Sequence, residues 1–223
     1  MCRPREQTDI VEADLATWDA AWVKHFQGVD VVVHLAANPN PVPPWADLLG
    51  SNLEAVVNVF EAAAQSGVRR VVYASSNHAM GEYKDVPEPH VLTTDIAAKP
   101  GAHWTVDGQM RNSIPYGALK LVGERIGKCY ADARGLSIIG VRIGWVMRGD
   151  NRSADIAPQR DPWFRRMWLS NRDFCHLFEC CVQADPEIHF AVINGMSNNT
   201  DMRWDIEQAR QLVGYAPQDD VDA

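Results

Sequence analysis

Asp30-Val31-Val32-Val33-His34-Leu35-Ala36 is the stretch that decides the fold. It is a continuous β-branched run with no polar alternation, the pattern of a strand covered on both faces, and it reads as a central strand of a parallel sheet. Downstream, the span from Trp45 to Ser66 sets Leu48, Leu49, Leu53, Val56, Val57, Phe60 and Ala64 on one helical stripe, and Gly67 follows as a C-cap. That is a crossover helix. The next apolar run, Arg69-Arg70-Val71-Val72-Tyr73-Ala74-Ser75-Ser76, reads as a second parallel strand. It ends in a hydroxyl-rich turn, at the end of the strand where open α/β sheets bind their ligands.

Further along, Gly81 to Pro115 has no sustained period and is interrupted by Pro87, Pro89, Pro100, Gly101 and Gly108. Loops of this length inside a domain tend to be binding loops or lids. Tyr116 to Arg134 reads as a helix, Ser137 to Ile143 as a strand, and Gly144 to Pro162 as irregular. Arg172 to Ala184 is amphipathic, with Phe174, Leu177, Phe178, Cys181 and Val182 on one face; Ile188 to Ile193 is a late strand and Asp205 to Val213 a short helix before Gly214. Strands alternating with helical stretches predict an α/β, Rossmann-like, doubly wound parallel sheet.

The chain has 223 residues, 46% of them hydrophobic, enough for one domain with a sizeable core. Its formal net charge of -8 disfavours nucleic acid and anionic lipid as partners. Its longest apolar runs fall well short of the ~20 residues of a membrane helix, and no signal-peptide core follows Met1-Cys2-Arg3-Pro4-Arg5. Cys2, Cys129, Cys175, Cys180 and Cys181 form no CxxC pair and are odd in number, which suits reduced thiols in a cytoplasmic protein.

Dinucleotide-binding folds normally open with a strand, a glycine-rich turn and a helix whose N-terminus holds the pyrophosphate. No G-x-x-G-x-x-G or G-x-G-x-x-G occurs here, and Gly28 is the first glycine. The sequence therefore reads either as an amino-terminally truncated form or as a relative that has lost this half-site.

Tyr116-Gly117-Ala118-Leu119-Lys120 sets a phenol and an ammonium on one helical face by i, i+4 spacing. A nearby ammonium favours phenolate and lowers the tyrosine pKa towards that of a general base for an alcohol. Y-x-x-x-K alone is weak, and its context strengthens it: Val33-His34-Leu35-Ala36-Ala37 ends one strand and Tyr73-Ala74-Ser75-Ser76-Asn77-His78-Ala79-Met80-Gly81 ends the next. In these three ordered blocks the chain resembles the extended short-chain dehydrogenase/reductase family, also called the NAD-dependent epimerase/dehydratase family. The resemblance runs from about Asp9 to Asp219. It is nearest to the branch of uronate dehydrogenases and archaeal-type NAD-dependent glucose-6-phosphate dehydrogenases, through Ser75-Ser76-Asn77-His78, Trp168-Leu169-Ser170-Asn171-Arg172-Asp173-Phe174 and Gly214-Tyr215-Ala216-Pro217-Gln218-Asp219.

The resemblance implies NAD as cofactor, with NADP not excluded, and a sugar-type small molecule as substrate. It implies Tyr116 as the base, Lys120 on the nicotinamide ribose and Ser76 on the reacting hydroxyl. Asp14 and Leu15 would contact adenine, while Leu35, Ala36, Ala37 and Ile143 would lie beside the dinucleotide. Asn52 would support the site, and Asn77 and His78 would face the sugar. Residues 1–144 would be the partial dinucleotide-binding region with the catalytic motif. Residues 145–223 would add late sheet elements and part of the substrate site. Pairing of the 45–66 and 116–134 helices with those of a second copy would make a homodimer. The chain departs from uronate dehydrogenases in the 40-residue separation of Ser76 and Tyr116, and in Trp145 and Pro39 at positions of small hydroxyl residues.

Several other residues compete for attention. Ser75 rivals Ser76, whose hydroxyl could instead cap the following turn. His34, in an apolar strand, reads as a buried structural histidine, and His78 either faces substrate or satisfies backbone groups. Cys175, His176, Cys180 and Cys181 fit core-filling thiols better than a metal site, and no metal is expected. Arg160, Arg165, Arg166 and Arg172 form the one basic cluster. It is a solvated face or a clamp for a carboxylate or phosphate, with Arg166 the substrate-binding candidate. The leading expectation is an NAD-linked oxidation of a sugar, sugar acid or sugar phosphate hydroxyl, giving a lactone if the anomeric position reacts. A sugar-nucleotide epimerase of the same fold and a non-catalytic relative are the alternatives.

Overall fold

The computed structural model describes residues 10–157 and 160–223; Cys2, Arg3 and Arg5 lie outside them. Four parallel strands, β1 (Val31–His34), β2 (Arg70–Ser76), β5 (Ser137–Ile143) and β6 (Phe190–Gly195), form one sheet in the order β1-β2-β5-β6. The registers run Val31 opposite Arg70, Arg70 opposite Ser137 and Ile138 opposite Phe190.

Side-chain alternation sends successive strand residues to opposite layers. Val71, Tyr73 and Ile138 pack with Val56, Val59, Phe60 and Ala63 of the crossover helix α3 (Ala55–Gln65). Val72, Ile139, Val141 and Ile193 pack with Leu177, Phe178 and Cys181 of α6 (Asn171–Gln183) and with Ala209 and Val213 of α7 (Glu207–Val213). The sheet is thus covered on both faces, as a doubly wound fold requires. Buried Arg70 ties the layers together. Its guanidinium donates to Ser137 Oγ (2.9 Å) and to the carbonyls of Cys181 (3.3 Å), Ala184 (2.6 Å) and Asp185 (2.6 Å), which satisfies acceptors left open at the C-terminal end of α6.

The crossover stretch is helical from Trp45, with α2 (Trp45–Leu49) and a π-helical turn (Gly50–Glu54) leading into α3. Gly67, at φ +73°, takes the left-handed turn that ends it. The long helix α4 (Ile114–Arg134) starts two residues before the expected point, with Pro115 in its first turn, and ends at left-handed Gly135.

Two expectations are corrected. The β1 run is four residues long and is an edge strand of the sheet among the described residues, with Val33 40% exposed, so it is not central. Val31 and Val32 pack partly against the two layers and His34 is buried, so the strand's apolar composition reflects its faces and says nothing of pairing on its outer edge. Second, the 81–115 excursion is not wholly irregular. A 3₁₀ turn (Asn77–Asp85) precedes a hairpin, β3 (His103–Val106) and β4 (Gln109–Asn112), joined through Asp107 and Gly108, both at positive φ. The short helices α1 (Ala20–Val23) and α5 (Pro162–Arg166) complete the elements used below. No helix is long and apolar enough to cross a membrane among the described residues.

Candidate active site

Alternation at the end of β2 separates two neighbouring hydroxyls. Ser75 points to one layer, where its Oγ donates to Glu124 Oε1 at 2.5 Å. Glu124 in turn receives Arg142 Nε (2.9 Å) and Nη2 (2.8 Å), and both side chains are buried. Ser76 is the last residue of the strand, and its Oγ accepts from the His78 N–H (3.2 Å) and caps the 3₁₀ turn. The competition between the two serines thus ends in a division of labour. Ser75 is absorbed by a buried ion pair, while the Ser76 hydroxyl stays beside Tyr116 and favours its phenolate.

Tyr116 sits in the first turn of α4 and is buried. Burial raises its pKa, and the Ser76 hydrogen bond pulls part of the way back. Lys120, one turn on, lies 5.7 Å from the Tyr116 ring centre and donates to the Ala74 carbonyl at 2.7 Å. Burial depresses the Lys120 pKa to about 8. Desolvation of the phenolate therefore sets the direction in the protein alone, and the Tyr116 pKa lies above its ordinary value.

His78 closes another side. Its ring stands edge-on to Tyr116 (5.6 Å, 88°), and its Nδ1 is 2.7 Å from Ser113 Oγ. Burial lowers its pKa to about 4, so it is neutral at physiological pH. Asn77 donates from Nδ2 to the Ile143 carbonyl (2.9 Å), while its buried Oδ1 has no partner. Glycines let these pieces touch. A Cβ on Gly117 would fall 2.3 Å from the His78 carbonyl oxygen, and one on Gly81 2.4 Å from the Ala102 nitrogen. Backbone bonds from Gly101 N to His78 O (2.9 Å) and from Ala102 N to Ser113 Oγ (2.9 Å) fix the same corner.

The cofactor candidates lie along the β1 side. Leu35 and Ala36 are exposed and Ala37 is half-buried, presenting an apolar turn at the end of β1. Asn52 holds that turn: its Oδ1 accepts from Asn38 N (2.9 Å) and its Nδ2 donates to Asn38 O (3.1 Å). Asp14 is exposed and bonded to Ala16 N and Thr17 Oγ1, both at 3.0 Å. Leu15 packs on the α3 layer, and its carbonyl receives Asn58 Nδ2 at 2.9 Å. The residues present fit the nicotinamide and adenine ends of a dinucleotide: the apolar turn suits a planar ring, and the unpartnered Asn77 Oδ1 leaves an acceptor open at the reacting end. The pyrophosphate has no glycine-rich strand-to-helix turn among the described residues.

His34 is buried, its pKa lowered to about 4 by burial and by the Lys120 charge, as a structural histidine should be. The arginine clamp is corrected. Arg165 pairs with Asp222 (2.5 Å) and Arg172 with Asp219. Arg166 is engaged by the Thr200 carbonyl, Asp201 (3.3 Å) and Asp222 (3.8 Å), so these acids of the C-terminal segment neutralise it. Arg160 alone of the four stacks on aromatic rings instead. Cys181 is a core thiol, whereas Cys175 is exposed and not core-filling. Among the described residues no group of three His, Cys, Asp or Glu side chains could hold a metal ion.

Sequence reasoning missed Ser113, Glu124 with Arg142, Asn58 and Trp104. A visible signal existed for two of them: Arg142 is a charge inside an apolar strand, and Asp107-Gly108 is the two-residue turn that would have revealed the hairpin carrying Trp104.

Comparison with known proteins adds the following. A family model described as "NAD dependent epimerase/dehydratase family" matches residues 2–160. An NAD-dependent glucose-6-phosphate dehydrogenase of Haloferax volcanii is 36% identical over 216 residues, 96% of this chain and 77% of that protein. A uronate dehydrogenase of Pseudomonas syringae is 30% identical over 217 residues, 96% of this chain and 68% of its own length. The crystal structure of uronate dehydrogenase from Agrobacterium tumefaciens superposes with a TM-score of 0.74 at 29% identity, over 99% of this chain and 74% of that one.

Proposed function

This chain belongs to the NAD dependent epimerase/dehydratase family, and on that premise we propose that it is an NAD-linked dehydrogenase of a sugar, sugar acid or sugar phosphate. The observation that carries the reading is the meeting of Ser76, Tyr116 and Lys120 at the end of β2, with Ser75 diverted to Glu124. Relatives that share most of this chain are named as dehydrogenases of glucose 6-phosphate, L-arabinose and uronates.

In this reading Ser76 orients the reacting hydroxyl and Tyr116 takes its proton. Lys120 binds the nicotinamide ribose, and its charge helps to hold the phenolate once made. Asn77 offers its free Oδ1 to a hydroxyl of the sugar, and neutral His78 lines the pocket. Leu35, Ala36, Ala37 and Ile143 flank the dinucleotide, Asn52 keeps their turn in place, and Asp14 with Leu15 lies at the adenine end. NAD, when bound, supplies the hydride acceptor.

The helices α3 and α4 expose Val57 (37%) and Val122 (41%), and Leu49 of α2 is 40% exposed. Those apolar side chains support pairing of two copies, which light scattering would register as a doubled mass.

Calorimetric titration with NAD and then NADP, followed by a sugar panel, tests the function. Saturable NAD binding and NADH formation with at least one sugar are expected. NAD that co-purifies and does not exchange would favour an epimerase. A folded chain that binds neither dinucleotide would favour a non-catalytic relative.

A further inference from the structure

The excursion between Ser76 and Tyr116 carries a feature that the proton transfer leaves unused. Its β3–β4 hairpin is almost wholly exposed, and a two-stranded hairpin alone is marginal in water. Trp104 is its anchor. The half-buried indole meets Phe164 edge-on at 5.7 Å and His78 at 6.4 Å, and His78 is the residue that stands against Tyr116.

Beyond Phe164 the wall continues to a cation. Arg160 Cζ lies 5.0 Å from the Phe164 ring and 4.7 Å from the Trp145 ring. Its neighbour Asp161 is already taken, by Lys84 (3.0 Å) and by the Trp163 N–H (2.9 Å). The other three arginines of the stretch are paired with C-terminal acids, whereas among the described residues no carboxylate pairs with Arg160. A guanidinium stacked on aromatic faces keeps its in-plane donors free for bidentate contact with an oxyanion. The Trp104 indole, on the other side of Phe164, suits the apolar C–H face of a sugar ring.

We propose that this wall is the specificity element of the site: Trp104 packs against the sugar ring held at Tyr116, and Arg160 takes a carboxylate or phosphate at the far end of that sugar. The inference rests on the dehydrogenase reading and narrows its substrate to anionic monosaccharides. It also gives a purpose to the long Ser76–Tyr116 separation, which houses the hairpin.

The test compares glucose, glucuronate and glucose 6-phosphate as substrates of the full chain, with NAD, in the parent, Arg160→Met and Trp104→Ala. A charged hydrogen-bonded pair predicts that the parent favours one anionic sugar over glucose by about tenfold or more in kcat/KM. Which anionic sugar wins identifies carboxylate or phosphate as the group read. Arg160→Met is expected to bring that ratio within about threefold, through a fall in kcat/KM for the anionic sugar. Trp104→Ala is expected to raise KM for the sugars about tenfold, with kcat changed by less than about threefold. A preference that survives Arg160→Met, a KM unmoved by Trp104→Ala, or a parent that favours glucose overturns the proposal.

If the parent oxidises none of the three, the wider sugar panel decides the dehydrogenase reading and the wall is judged by calorimetric titration of the same three sugars. Anion-selective binding that Arg160→Met abolishes then supports it, and equal or absent binding overturns it.

Discussion

Replacing Glu124 with glutamine tests whether the ion pair behind β2 is the frame of the site. The carboxylate receives two bonds from Arg142 at 2.8 and 2.9 Å and one from Ser75 at 2.5 Å, with both charged side chains buried. Glu124→Gln keeps the shape and leaves the Arg142 charge uncompensated away from water. Removing one partner of a buried pair costs about 3–5 kcal/mol, whereas removing both charges together often costs little. For a chain of this size that predicts a fall in melting temperature of roughly 6–20 °C for the single change. The double variant Glu124→Gln with Arg142→Met should recover more than half of the loss, a coupling that a double-mutant cycle in urea measures directly. The slope of the urea transition should stay constant while its midpoint moves. A single-variant loss below about 1 kcal/mol, or strictly additive losses, would refute the reasoning.

Acid stability follows from two histidines. His34 and His78 are held neutral by burial with pKa values near 4, below the ordinary 6.5. Above pH 6.5 both folded and unfolded chains leave them neutral. As pH falls from 6.5 towards 4 only the unfolded chain takes up the protons, so about 3 kcal/mol of stability per histidine is lost across that window. Urea melts at pH 7 and pH 5 should show the loss, and His34→Gln should flatten it; a pH-independent midpoint would contradict the burial argument. Gly117→Ala places a Cβ 2.3 Å from the His78 carbonyl oxygen and 3.0 Å from Gly101 N. It should cost about 1–3 kcal/mol in stability and, by shifting the corner that sets His78 against Tyr116, about 10²-fold in kcat/KM; unchanged kinetics would show that the contact is not needed. Asn52→Ala removes both bonds to the Asn38 backbone. It should weaken NAD binding about fivefold or more by titration, and an unchanged Kd would free Asn52 of its supporting role.

Periodicity made the fold legible because burial alternates at fixed intervals along each element. Val71 and Tyr73 face one helical layer and Val72 the other, and the crossover stripe packs through Leu48, Leu53, Val56, Phe60 and Ala64, whereas Leu49 and Val57, expected on the same stripe, stay exposed. Sheet position was not legible, because Val31–His34 has the composition of a strand with covered faces whether or not another strand pairs beyond it. Tyr116 and Lys120 were legible through i, i+4 spacing, but the phenol pKa was not, since desolvation depends on the whole surrounding wall. The arginine cluster shows the same limit. Only the fold reveals that Asp219 and Asp222, about fifty residues away in sequence, neutralise Arg172 and Arg165 while Arg160 lies on Trp145 and Phe164.

Tyr116→Phe tests the assignment of the proton acceptor most directly, with NADH formation from the best sugar substrate and NAD affinity measured on the same preparation. Loss of a positioned general base predicts a fall in kcat of about 10²–10⁴-fold, with the Kd for NAD within about threefold of the parent because the phenol oxygen is one contact among many. Full turnover by the phenylalanine variant would contradict the account and remove Tyr116 from the chemistry.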